Sequence, residues 1–452
     1  MEQDSQVRGE APGKVVEKKE LTYLEALKLA SQLHSDQQIE PAERLYRMLL
    51  DIQPDDPNVM HYLGVLLCQS ARPEEGLVLI QRSLQRDASV AAWHNNLGNV
   101  MLDAGRLDEA SQAYQRCLDL DPDHGEVLNN LAVLQRRLGK FADAEATLLR
   151  AVERKPEFAG SHHNLAALCF EKKRIDEGLA HCVKALQLEP RNASTRHVLG
   201  LALMRLGRQE EAAQTYREWL ALEPDSEQAL HYLAACTGEN VPERASQMYV
   251  EKVFDDFAAS FDAKLASLDY RAPQLVGEAV GRLYGSSHRS LAVLDAGCGT
   301  GLCAPWLAPY AGRLVGVDLS QAMLDQAAAR ACYDELVKAD LVAFLQSQLS
   351  AFDLIVSADT LCYFGHLDGA IQGAANALRA DGLLCFTVEI HEDGMEPYRL
   401  NPHGRYSHHR SYVESVLQGA GFDGMDFAEV VLRQELAMPV AGWLVSARYR
   451  AS

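Results

Sequence analysis

Residues 23 to 226 divide without insertion into six consecutive windows of 34 residues. A chain with that period folds as one helix-turn-helix unit per window, and each unit buries its apolar face only by stacking on its neighbours. Two positions in every window are small: Ala30, Gly64, Gly98, Ala132, Ala166 and Gly200 at one, Ala42, Gly76, Ala110, Ala144, Gly178 and Ala212 at the other. Small side chains at recurring positions let two helices cross closely. A proline closes five of the windows (Pro54, Pro122, Pro156, Pro190, Pro224), where a helix ends and the missing N–H does no harm. Ala88 takes its place once, and Pro73 lies in the turn of that window. Residues 227 to 236 begin a seventh unit without a matching second helix, which predicts a capping helix. The array is therefore expected over 21–236, after a polar segment of mixed charge, 1–20, expected to be disordered and without the apolar run of a signal peptide.

Asn96, Asn130 and Asn164 hold one position in three consecutive windows. Amides at that spacing suit the backbone of an extended peptide lying along the first helices; equally, asparagine there caps or solvates its own helix. Trp93 and Trp219 read as core wedges.

The period stops at Gly238, Asn240 and Pro242, turn formers that mark 237–248 as a linker. Beyond it, Val293-Leu294-Asp295-Ala296-Gly297-Cys298-Gly299-Thr300-Gly301 sets an acid and three alternating glycines after an apolar run. That is a buried strand turning sharply into a helix where the backbone passes close to a ligand. A dinucleotide fingerprint needs a third glycine at position 302, which is Leu302, so NAD is the weaker reading. A second apolar strand ends at Asp318, where an α/β fold sets a carboxylate on ribose hydroxyls.

At these residues the chain resembles the class I S-adenosylmethionine (SAM)-dependent methyltransferases, and more narrowly the bacterial predicted methyltransferases that carry tetratricopeptide (TPR) repeats. The narrower likeness rests on Asp295 to Cys303, Gly316 to Leu324, Tyr333 to Leu336 and Asp359 to Gly365. It implies an N-terminal all-α TPR solenoid followed by a Rossmann-like domain over 249–452 with a seven-stranded, mostly parallel sheet. It also implies a SAM site formed by Asp295, Gly297, Cys298, Gly299, Gly301, Leu302, Asp318, Leu319, Met323, Asp340, Leu341, Ala358 and Asp359, with Asp340 and Leu341 on the adenine. Residues 249–272 are expected as a lid helix whose Phe254 and Phe261 face the cofactor, where rings screen water and attract a sulfonium; docking on the sheet is the plainer role for each ring.

Loops at the carboxyl edge of a parallel sheet bind α/β ligands, which turns attention to His391, Glu392, Tyr398, Arg405, Tyr406, His408 and His409 after the fifth strand. Methyl transfer is in-line displacement, served by positioning and exclusion of water. An acceptor that must lose a proton needs a base, for which His366, Glu389, His408 and Tyr363 are candidates. A carboxylate acceptor needs holding, for which Arg405 and Tyr406 stand ready, with Tyr398 as a further acceptor contact.

With 63 acidic against 43 basic residues, net charge -20, the chain argues against a nucleic-acid partner. Ten cysteines without a C-x-x-C pair, no long apolar run and no His pair at metal-binding spacing predict a cytoplasmic protein without metal or membrane span. Its expected partner is a protein or peptide on the repeats. The alternatives are a small-molecule O- or N-methyltransferase using the repeats to dimerise or dock, and a SAM-binding scaffold that does not turn over.

Overall fold

A computed structural model describes residues 21–70, 72–285, 289–391, 394, 396–435 and 438–450. The expected disorder of 1–20 and the candidate Glu392 lie outside the described residues. The chain forms two compact units that divide after Pro190.

Among its described residues the first unit holds ten helices, alternately 13 and 14 residues long, from Tyr23–Ser35 to Ile175–Leu188. Its recurrent small residues lie at the helix crossings: Ala30, Ala42, Ala110, Ala132, Ala144 and Ala166 are fully buried. In the second repeat the backbones themselves touch, since a Cβ on Gly76 would stand 2.4 Å from the Gly64 carbonyl oxygen. The asparagine ladder runs between repeats. Asn130 Nδ2 donates to Asn99 Oδ1 (3.1 Å), Asn164 Nδ2 donates to Asn129 Oδ1 (2.9 Å), and Asn96 Nδ2 meets His61 Nε2 (3.0 Å). The donors expected to face a peptide are thus turned to the preceding repeat, because a first helix lies within amide reach of its neighbour one window back. Trp93 is buried and stacks on His61.

The second unit starts with the sixth repeat, Ala193–Arg205 and Gln209–Leu222, where Trp219 is buried, and the cap helix Glu227–Thr237. Gly238 ends that helix in the left-handed region (φ 69°), its N–H on the Ala234 carbonyl. The expected linker is a strap built into the domain that follows. Arg244 forms an antiparallel bridge with Phe364, Ala245 N–H donates to Tyr363 O (2.8 Å), and the N–H groups of Gly365 and His366 both donate to Glu243 O (2.8 Å). The single lid helix expected over 249–272 is broken into Gln247–Phe257, a 3₁₀ turn Ala258–Ser260 and Phe261–Ser267, followed by the helix Ala272–Tyr284. Ser260 Oγ bonds back to the Phe257 carbonyl at the break.

Among the described residues the sheet has nine strands: β1 (Leu291–Ala296), β2 (Ala311–Asp318), β3 (Glu335–Lys338), β4 (Phe352–Ser357), β5 (Leu378–Ile390), β6 (Tyr398–Leu400), β7 (Tyr406–His408), β8 (Phe422–Glu435) and β9 (Met438–Tyr449). β3-β2-β1-β4-β5 are parallel neighbours; β9 lies antiparallel to β5 and pairs β8. The expectation of seven strands is corrected by the short hairpin β6-β7, whose β7 pairs parallel to the end of β5. Successive strand residues point to opposite faces. Leu294, Val315 and Ile355 enter one core, and Val293, Leu314, Leu354 and Val356 the other, each roofed by helices. Every parallel strand from β1 to β4 ends at the same edge, where the loops collect.

No described helix is long and apolar enough to cross a membrane.

Candidate functional site

The glycine turn leaves β1 with Gly297, Gly299 and Gly301 all at positive φ (78°, 53° and 82°). Gly297 is pinned: a Cβ there would lie 2.2 Å from Thr360 Oγ1. Around Gly299 the space is open, with Phe261 Cε1 at 3.9 Å as the nearest atom, so the backbone presents a cradle. Asp318, at the end of β2, accepts from the Gly299 N–H (2.8 Å) and the Ser320 N–H (2.9 Å), which fixes the turn against the neighbouring strand.

Asp295 is 1% exposed. Tyr333 donates its hydroxyl to Asp295 Oδ2 (2.6 Å), while Oδ1 is buried without a partner. Burial pushes this carboxyl up to about 7, against the Tyr333 hydrogen bond that favours the anion. In the pH range from about 4 to about 7 the native chain then holds a proton that the unfolded chain has lost, so stability falls as pH rises through that window. Asp295→Asn is expected to flatten this slope, measured as the difference in urea midpoint between pH 5 and pH 8; an unchanged slope overturns the assignment.

Acids of the segment 247–267 hold it over this turn. Glu251 pairs with Lys338 (2.6 Å), Asp255 accepts from Ser320 Oγ (2.5 Å) and the Ala322 N–H (3.3 Å), and Asp262 accepts from Thr300 Oγ1 (2.5 Å) and pairs with Arg330. Arg330 also donates to the Thr300 carbonyl. Phe254 stands edge-on to Phe261 (5.9 Å) and to Tyr363 (5.4 Å), so this segment and the β4 loop meet above the turn.

Beside that loop lies an ionic network in which Arg433, 1% exposed, uses all three guanidinium nitrogens. Nε donates to Glu435 (2.7 Å), Nη1 to Asp359 (2.9 Å) and Nη2 to Glu389. Arg405 reaches Glu435 (2.9 Å) and Glu389 (3.7 Å), and His403 Nε2 stands 3.4 Å from Glu389. Burial opposes charge on Glu435, but Arg405 and Arg433 outweigh it and hold its carboxyl down at about 2. Asp359 has φ 58°, a conformation costly for an L residue, and its N–H donates to Thr387 Oγ1 (2.9 Å).

A family model described as "Methyltransferase domain" matches residues 294–384. Three described as "Tetratricopeptide repeat" match 89–157, 129–193 and 170–236. The chain joins tetratricopeptide repeats to a methyltransferase domain. Methyltransferase-like protein 27 of Homo sapiens is 30% identical over 162 residues, 34% of this chain and 63% of that protein. Malonyl-[acyl-carrier protein] O-methyltransferase of Enterobacter lignolyticus is 29% identical over 140 residues, 29% of this chain and 55% of that protein. The 18S rRNA (guanine-N(7))-methyltransferase of Bos taurus is 27% identical over 160 residues, 33% of this chain and 53% of that protein. The chain spans about half to three fifths of the length of these relatives. Two of these names give an acceptor, a malonyl-[acyl-carrier protein] and an rRNA guanine, and the two differ.

Within the methyltransferase domain most of the residues expected on the cofactor gather at one edge. Met323 is fully buried, Cys298 and Leu341 are buried, and Leu302, Leu319 and Ala358 are half-buried. Asp340 caps the helix Leu341–Ser347 through the Ala343 N–H (3.0 Å), and its other oxygen accepts from Arg244 of the strap (2.8 Å).

The acceptor candidates fare differently. Tyr406 and His408 are fully buried; the Tyr406 hydroxyl donates to Pro242 O (2.8 Å), and His408 Nε2 donates to Gly365 O (3.1 Å). Burial pulls the His408 pKa down to about 4, which keeps the ring neutral inside the β7 core. Glu389 is held by arginines, Arg405 by carboxylates and Tyr406 by Pro242 O, so both members of the expected Arg405–Tyr406 carboxylate clamp have partners inside the domain. His366 is exposed, its ring 5.1 Å from that of Tyr398, while Tyr363 is half-buried under Phe254. His409 caps the helix Arg410–Gly419 through the Ser411 N–H. Sequence reasoning gave no site role to Arg433, Glu435, Tyr333, Glu251, Asp255 or Asp262, although Tyr333 opens one of the motifs that carry the resemblance; the signal for the three acids was a spacing of four and seven, which would share one face of an unbroken helix.

Proposed function

We propose that this chain is a SAM-dependent methyltransferase whose repeats recruit a protein or peptide acceptor, acting in the cytoplasm. The observation that carries the reading is the open cradle at Gly299 flanked by Asp318 and by the orphaned Asp295 Oδ1. These groups fit a cofactor that brings ribose hydroxyls and an ammonium: an acceptor oxygen without a partner in a buried site calls for a donor. Asp295, Gly297, Cys298, Gly299, Gly301 and Leu302 would hold its amino-acid end, Asp318, Leu319 and Met323 its ribose, Asp340 and Leu341 its base, and the backbone at Ala358 and Asp359 the remaining edge. When bound, SAM supplies a methyl group on a positively charged sulfur.

Phe254 and Phe261 then close the turn from water and offer ring faces to a cation. The β4 loop, braced by Asp359 on Arg433, orients the acceptor. Where the acceptor must shed a proton, exposed His366 is the remaining candidate, since burial raises the pKa of the Tyr363 hydroxyl and His408 and Glu389 are engaged inside the domain.

The engaged amides of Asn96, Asn130 and Asn164 favour a second reading, a small-molecule acceptor with the repeats serving for dimerisation or docking. Incubation with methyl-labelled SAM and host lysate, split into protein and small-molecule fractions, separates the two. Label in a discrete protein band that depends on the repeats supports the first reading. Label confined to small molecules supports the second, and SAM binding without transfer in either fraction overturns both in favour of a sensor. Asp318→Ala is expected to weaken SAM binding at least about tenfold with the helical circular dichroism signal intact, as loss of a charged hydrogen-bond acceptor removes about 1.5–3 kcal/mol. Unaltered affinity overturns the ribose assignment.

A further inference from the structure

The loop Asn401–Arg405 joins β6 to β7 and is tied into one body: Gly404 N–H donates to Asn401 O (2.8 Å), Asn401 N–H to Arg405 O (2.8 Å), and Asn401 Nδ2 to Ser407 Oγ (3.0 Å). Its tip is gripped from the cap helix of the repeats. His231, 3% exposed, stands with Nε2 2.8 Å from the Gly404 carbonyl oxygen, so that nitrogen carries the hydrogen and donates. Gly404 has φ 84°, and a Cβ there would lie 2.9 Å from the Tyr232 hydroxyl oxygen; Tyr249 donates its own hydroxyl to Tyr232 (3.2 Å). The next residue is Arg405. Its guanidinium runs to Glu435 and Glu389, which share Arg433 with Asp359 of the β4 loop.

We infer that His231 and Tyr232 of the cap helix are positioning residues for Arg405, so that the end of the repeat array is a built part of the wall against which the methyl acceptor lies. The inference rests on the proposed function in one respect, that the β4 loop faces the acceptor. A rigid loop held at its tip carries its side chain with it, and a displacement of about 1 Å at a reacting site lowers rates about 100-fold. The sixth repeat and the cap belong to the same compact unit as the methyltransferase domain, as this role requires.

The test uses the full chain and three readouts: SAM affinity by calorimetry, label transferred from methyl-labelled SAM to the lysate fraction that accepts it, and backbone hydrogen exchange over 401–405. For His231→Ala the expected results are SAM affinity within twofold of the unaltered chain, transfer lowered about 10- to 100-fold, and exchange at 401–405 accelerated at least about tenfold. His231→Gln, whose side-chain amide can still donate to the Gly404 carbonyl, is expected to restore transfer to within about threefold. Combined with Arg405→Met, His231→Ala is expected to add no further loss, because both act through one group. Additive losses, or unchanged exchange and transfer, overturn the inference. If the unaltered chain binds SAM but transfers no label, the proposed function fails, and the exchange readout alone decides the grip. Should His231→Ala not fold, Gly404→Ala, which pushes the tip off Tyr232 from the loop side, takes its place with the same expected readings.

Discussion

Arg433→Met is expected to destabilise the methyltransferase domain by about 3–5 kcal/mol, the range for removing one partner of a buried ion pair. The arginine is 1% exposed and divides its three nitrogens among Glu435, Asp359 and Glu389. Methionine fills a similar volume but leaves Glu389, 5% exposed, facing Asp359 and Glu435 with Arg405 as the remaining arginine of the network. In calorimetry the unfolding transition of the domain is expected to fall by about 10 °C, since 1 kcal/mol corresponds to about 2–4 °C for a domain of this size. The loss is also expected to shrink in acid. Glu435 has its native pKa depressed to about 2, so its stabilising contribution is complete above the unfolded value near 4.5 and fades as pH falls toward 2. A variant melting within 2 °C of the unaltered chain at pH 7 shows the network to be dispensable.

Gly297→Ala and Gly299→Ala are expected to part company. At Gly297 the added carbon would lie 2.2 Å from Thr360 Oγ1 and 2.3 Å from its Cγ2, at φ 78°. The side chain cannot retreat freely, because Thr360 Oγ1 also bonds the Gly297 carbonyl (3.2 Å). Backbone strain of about 1–2 kcal/mol and overpacking of about 1–3 kcal/mol then add, and SAM affinity is expected to fall more than about 100-fold together with thermal stability. At Gly299, φ 53°, the nearest atom is Phe261 Cε1 at 3.9 Å, so alanine incurs the backbone term alone. Its expected signature is a melting point within a few degrees of the unaltered chain and a SAM affinity reduced at least tenfold, because the new methyl occupies the cradle. Thr360→Ala should recover part of the stability lost in Gly297→Ala. Equal behaviour of the two glycine variants overturns the distinction between a packed and an open glycine.

What could be read in advance depended on whether the information lies in residue type. The 34-residue series from Ala30 to Gly200 and the turn from Asp295 to Gly301 are patterns of residues that only one geometry tolerates, and both stand where the sequence put them. The strap at Glu243–Ala245 is made of backbone hydrogen bonds, which any residue forms, so its turn formers read as a linker. The β6-β7 hairpin has three-residue strands, too short for a period-two pattern to register against the surrounding loop. Arg433 resembles any polar residue on an edge strand, and its partners Glu389 and Asp359 lie 44 and 74 residues away. The lid break follows from local bonding at Ser260 and from the separate anchors that Asp255 and Asp262 find, neither of which alters the aromatic spacing that suggested one helix.

The division of the chain after Pro190 has an evolutionary corollary. Repeat arrays grow and shrink by whole units, since each unit is held only by its neighbours. In this chain the freedom to do so belongs to the windows ahead of Arg191, which lie outside the compact unit that holds the glycine turn. The sixth repeat and its cap are bound by His231 and the strap to the same body as the glycine turn, and they are expected to be retained with it. Relatives of this architecture should therefore vary in repeat number at the amino-terminal side and be uniform across the last helical hairpin.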